Sequence, residues 1–408
     1  MKRYQIPLLA TIAACLTAVA LAAAPTARWT DRDEYDLVLN IRGEAAPQKR
    51  LALLDQWKAK YPKTELQQVR LELYLAAYQS LGDGARMLAV AREMISGAAD
   101  DLVGLYWFTL LVPEAKGASP DLLAAGEKAS RQLLAGSKPA AIDAAAWQKR
   151  RGEVEFLAHR TLSWIAWQRN DYPAAETQFA ECLKLDPNSA EISAWFGTVL
   201  ALDRQPANQV PALWHLARAA SYRGPGALPD VQRRQMGQVV ERLYTTYHGE
   251  TAGLDQLRTA AAAATLPPTG FDIESATAAA LRKQDEELNR TNPQLAAWLR
   301  MRKRLEAPDA DAYFDASLRN TPLPVRLKGT LLRTTPAGKP KELALGVGDA
   351  TAEEVTVKLE TAFPNDAEPG TVLEFEGTID AFTKAPFSIT VLSSPEKIGG
   401  WPPPRSRK

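Results

Sequence analysis

Few residues in this chain have types and spacings that could carry out chemistry. Its three histidines, His159, His215 and His248, fall in separate helical segments, with no cysteine or carboxylate at zinc-ligand spacing beside them. His215 adjoins an apolar position, and His248 in Tyr247-His248-Gly249-Glu250 ends a helix, where an imidazole meets the last carbonyls favourably. No nucleophile elbow, phosphate loop or glycine-rich dinucleotide fingerprint occurs. These observations predict a protein that is not an enzyme and has no metal and no cofactor. The side chains best suited to binding are Arg160, Trp164 and Trp167, whose separations of four, three and seven residues bring them to one side of a helix. Arginine and tryptophan dominate binding hot spots, and one guanidinium with two indoles suits an acidic or aromatic-bearing peptide. The alternative is that both indoles only pack one helix on the next.

The elements that must position this face read as helices from about residue 30 to 265. Leu51, Leu54 and Trp57 recur at helical spacing before Pro62, and the run Leu71–Tyr78 turns at Gly82 into a second helix ending near Ile95. Helical segments follow at Leu102–Val112 and Pro120–Leu134, and Ala140–Trp167 leads into the stretch His159–Pro187. There Leu162 and Ser163 form a large/small pair, and Tyr172, Ala175, Phe179 and Cys182 lie on one face of a second helix that Pro187 closes. Asp171 is placed to accept from that helix's first amides, and Pro173 suits its first turn. This stretch resembles one tetratricopeptide (TPR) repeat, a helix–turn–helix unit of about 34 residues that buries its apolar face only against stacked neighbours. It departs from the family at Asn170, where a turn glycine is usual, and at Ala166, where an aromatic is usual. A second repeat has Phe196-Gly197 as its pair and Ala212, Leu216 and Ala219 on its second helix, with extra turn residues around Pro206-Ala207-Asn208. Asn188 with Glu191 reads as its capping box. The best repeats span 156–222. The resemblance implies an interaction scaffold in which Arg160, Trp164, Trp167 and Gln168 line the concave groove.

At the N-terminus, Lys2 and Arg3 precede an apolar run from Ile6 to Ala24. Residues 1–24 read as a signal peptide with a cleavage site at Ala20-Leu21-Ala22, which predicts export to the periplasm or cell envelope, or secretion. An uncleaved anchor helix and a lipid-modified Cys15 are the alternatives. Cleavage leaves Cys182 without a disulfide partner, as a small buried hydrophobe. No membrane-spanning candidate follows residue 25.

Residues 266–320 read as a helical connector, in which Leu295, Trp298, Leu299 and Met301 mark the apolar side. The string Leu266-Pro267-Pro268-Thr269-Gly270 matches a sortase signal, but the apolar span that such a signal requires does not follow it. From Pro322 the pattern alternates, with strands expected at Val325–Leu331, Glu342–Val347, Glu354–Leu359, Val372–Ile379 and Phe387–Leu392. Five short strands predict a small closed barrel or sandwich over residues 321–398, their order looks like an OB-type barrel, and a flexible tail is expected at 399–408. The fold class expected is therefore a multidomain α + β chain, a TPR-like α-solenoid followed by a small barrel. From Arg326 to Ile398, eight Lys/Arg stand against eleven Asp/Glu, and the whole chain carries only +1. Nucleic-acid binding needs clustered cations, so the expected partner is a protein. A saccharide or small molecule on the barrel is the second hypothesis, and an enzyme with an unrecognised site the third.

Overall fold

The computed structural model describes residues 31–136 and 143–403. The segment expected to be a signal peptide, with Cys15, lies outside the described residues, as do the last five of the expected tail. The described chain forms two compact units that meet between Ile273 and Glu274.

The first unit is helical throughout. Its helices are α1 (Arg32–Gly43), α2 (Pro47–Lys60), α3 (Gln67–Leu81), α4 (Gly84–Gly97), α5 (Leu102–Leu111), α6 (Pro120–Ala135), α7 (Ala144–Gln168), α8 (Tyr172–Leu185), α9 (Ala190–Asp203), α10 (Gln209–Ser221), α11 (Asp230–His248) and α12 (Leu254–Ala263). From α1 to α11 each packs on the next, so the chain forms consecutive helical hairpins, while α12 returns onto α10. Consecutive packing of this kind is compatible with a helical-repeat solenoid. Side chains at the start of several helices explain where they begin: Asp31, Asp83, Asp101, Ser119, Asp171 and Ser189 each accept from a first-turn amide. The cap of α9 is thus Ser189 and not Asn188, whose amide oxygen accepts instead from the Tyr222 hydroxyl at 2.9 Å. Helix α5 is buried on every residue from Gly104 to Leu111, because α4, α6 and α7 surround it. Among the described residues no helix is long and apolar enough to cross a membrane.

The second unit contains α13 (Ala276–Thr291), α14 (Pro293–Leu305), α15 (Ala310–Ser317) and seven strands: β1 (Leu327–Thr335), β2 (Glu342–Gly346), β3 (Val355–Leu359), β4 (Val372–Phe375), β5 (Thr378–Lys384), β6 (Phe387–Ser393) and β7 (Ile398–Gly399). They form one mixed sheet in the order β5-β6-β3-β2-β1-β4-β7, with β3 and β6 parallel and the other pairs antiparallel. The expected closed, five-stranded barrel is therefore corrected: there are seven strands and the sheet does not close. The strand expected over Val372–Ile379 breaks at Glu376-Gly377. Its first part pairs with β1 and its second with β6. A Cβ at Gly377 would lie 2.3 Å from the Leu392 carbonyl oxygen, so only glycine fits the break. The sheet curls, since two residues join β4 to β5, and Pro322 bridges to Thr378.

The stretch expected as a connector is divided between the units. Ile273 packs in the core of α10–α12, whereas Trp298, Met301 and Leu305 of α14 and Phe314 of α15 are buried in the core of the sheet. The start of the expected tail is packed too: Gly399 extends β7, and Trp401 stacks on Phe363 with ring centroids 3.9 Å apart.

Candidate protein-binding face

The expected binding residues lie on the last three turns of α7, between the hairpins on either side. The turn that follows is well determined. Asn170 adopts φ 58°, the left-handed conformation for which glycine was expected, and Asp171 accepts from the Ala174 amide at 3.2 Å. Pro173 in the first turn of α8 costs no hydrogen bond. Behind the face, Phe179 is fully buried against Trp195 and Phe196, and Ala175 and Cys182 are buried beside it. Burial pushes the Cys182 thiol well above its ordinary pKa, which leaves it unreactive. Leu162 is buried, and Tyr172 is half-buried. After α8 the Pro187 carbonyl accepts from Arg218 at 2.7 Å and from Thr265 at 3.1 Å.

The second hairpin, α9 and α10, is held closer. A Cβ on Gly197 would lie 2.7 Å from Leu216 Cγ and 3.0 Å from the Ala212 carbonyl oxygen, so the glycine sets the approach of the two helices. Ala212, Leu216 and Ala219 are all buried on α10. The extra turn residues form a short 3-10 turn at Pro206–Asn208. His215 on α10 is buried and stacks on Phe196 at 4.4 Å. His159 contacts Gln178 through Nδ1 at 2.7 Å, so each imidazole near the face serves a separate local role.

The four face residues are not equally available. Gln168 is exposed and Trp164 and Trp167 are half-buried. Trp164 packs on the core of α1–α7 and Trp167 on the core of α7–α9, where its ring lies 6.4 Å from Trp195. Arg160 is only 4% exposed. Its Nε and Nη2 donate to Glu191 at 3.3 and 3.1 Å, Nη2 also reaches Glu114 at 3.4 Å, and the guanidinium lies 4.7 Å from the Trp195 ring centre. Burial works against its charge, but Glu191 and then Glu114 hold it protonated above its ordinary range. Arg160 on α7 therefore joins the end of the α5 segment to α9. Its charge is already balanced inside the protein, and the expected attraction of an acidic peptide loses its cation. Glu114, Glu191 and Trp195 are the residues that sequence reasoning missed. Glu191 was visible as a capping-box residue, but nothing local signalled Glu114, 46 residues before Arg160.

Among the described residues no three His, Cys, Asp or Glu side chains are grouped to hold a metal ion. No family model matches the chain, and no curated protein matches it.

Proposed function

We propose that the chain is an exported, non-enzymatic scaffold that holds a protein partner in the cell envelope against the α7 face of its helical unit. Its hairpins are read as TPR-like, a reading supported by the residue match over 159–187, by buried Phe179 between α8 and α9, and by the close approach at Gly197. The observation that carries the proposal is the pair of half-buried indoles, Trp164 and Trp167, next to exposed Gln168 on successive turns of α7. Partly open aromatic rings on a rigid helix are the surface that partners bury at small entropic cost. Arg160 orients this surface from below through Trp195, and direct contact falls to Trp164, Trp167 and Gln168. The partner accordingly brings apolar or aromatic side chains and an amide-compatible polar group, and needs no acidic stretch.

A photo-crosslinking side chain at position 168, in the native envelope, tests this. A discrete crosslinked partner is expected there, and none from the same group at Thr177, which is exposed on α8. Identical products from both positions, or none from position 168, would overturn the proposal.

A further inference from the structure

A recess of about 270 Å³ opens in the second unit where the start of α14 meets the sheet. Its polar lining comes from Asn292, Gln294, Lys328 and Thr330, and its apolar wall from Leu295, Val347 and Val372. Val372 is 50% exposed, which leaves a large aliphatic side chain open at the edge of the recess. Lys328 is the one charged residue of the lining and has no ion pair among the described residues.

The carboxylates around Lys328 are engaged elsewhere. Glu374, opposite it on β4, lies 3.6 Å from Arg326. Asp349 accepts from the Thr351 amide at 2.8 Å and from its hydroxyl at 2.7 Å. Glu354 is 2% exposed; it accepts from the amides of Val347, Gly348 and Asp349 and from Arg302. The protein thus fills that amide cradle with its own anion and leaves Lys328 unmatched. At the start of α14, Asn292 takes the Leu295 amide at 3.1 Å and the Ala296 amide at 3.0 Å, and Pro293 has none. The Gln294 amide is therefore the open donor of that first turn, beside Lys328 and Thr330 in the same recess.

We propose that this recess binds a small monocarboxylate with an aliphatic or aromatic body. One lysine with neutral amide and hydroxyl donors matches one negative charge, and a dianionic phosphate would exceed it. The body of the ligand covers Leu295, Val347 and Val372. The volume lies just below the roughly 300–1,000 Å³ of sites for drug-sized ligands, so a metabolite-sized acid fits.

The test is a titration of the isotope-labelled full chain, followed through the backbone resonances of Gln294, Gly329 and Val347. The probes are isovalerate and phenylacetate, with isovaleramide and phenylacetamide as neutral counterparts. The acids should shift these resonances saturably, and the amides should bind about tenfold more weakly or worse. Lys328→Met should weaken the acids about tenfold. Val372→Glu, at an exposed site, supplies a carboxylate from the chain itself and should abolish their binding. The proposal is overturned by any of three results: no saturable shift up to about 20 mM, equal binding of acid and amide, or unchanged binding by a folded Lys328→Met variant.

Discussion

Among the described residues the helical unit buries Arg70, Arg160 and Arg218 and the sheet unit buries Glu354, and the surroundings of Arg160 and Glu354 are built in opposite ways. In the helical unit a cation, Arg160, lies beneath Glu114 and Glu191, whose side chains are 41% and 25% exposed. In the sheet unit an anion, Glu354, accepts three successive amides five to seven residues before it, and its one remote partner is Arg302. Nε and Nη2 of Arg160 are thus paired with groups that water can also reach, from segments far apart in the chain, while its Nη1 is buried without a hydrogen-bond partner. Glu354 is satisfied mostly by a loop that it folds around itself. A buried charge costs little only when its partners are already held in place. The comparison teaches that residue type and spacing alone do not tell a binding residue from a buried one: Arg160 was expected to line a groove, yet its neighbours consume its charge.

Replacing each charge should expose this difference. Glu354→Ala removes the acceptor of three amides together with the partner of Arg302, and should cost about 2–4 kcal/mol. Calorimetry should show the loss in the transition of the sheet unit. Arg160→Met keeps an apolar stem over Trp195 and leaves two carboxylates that water can solvate, so about 1–2 kcal/mol is expected, in the helical unit. A larger effect at Arg160 than at Glu354 would break the comparison.

Acid should sharpen it. His215 is buried with Nδ1 unpartnered, and burial, aided by nearby Arg218, pushes its pKa down to about 3. The unfolded chain takes up this proton near pH 6.5 and the folded chain does not. The stability it contributes is therefore complete above about pH 6.5 and is lost as pH falls toward 3. Between pH 7 and pH 5 the loss should be about 2 kcal/mol, confined to the helical unit, since residues 274–408 contain no histidine. His215→Phe preserves the stack on Phe196 and should flatten this slope. A slope that persists in His215→Phe would assign it to other groups.

Local features of the fold were legible in the sequence. The cap at Asp171, the proline after it, the glycine at the close helix approach and the alternation of the strands act within a few residues, and each appears in the structure. What escaped depends on remote partners. Val372–Ile379 reads as one alternating strand, and only the carbonyl of Leu392 breaks it at Gly377. Trp298 has helical spacing, but which core it enters is set by a sheet that begins nearly thirty residues later. Of the candidate face, the spacing located Trp164, Trp167 and Gln168 on one helix. The burial of Arg160 could not be read, because Glu114 is supplied by another hairpin.

The central claim, that the α7 face holds a partner, is tested most directly by Trp167→Ala in a chain carrying the crosslinking group at position 168. Crosslinked yield and thermal midpoint are measured on the same variant. The account predicts that the crosslinked species disappears while the midpoint falls by only a few degrees, because the indole is half-buried. Undiminished crosslinking by a folded variant would contradict it and remove Trp167 from the binding surface.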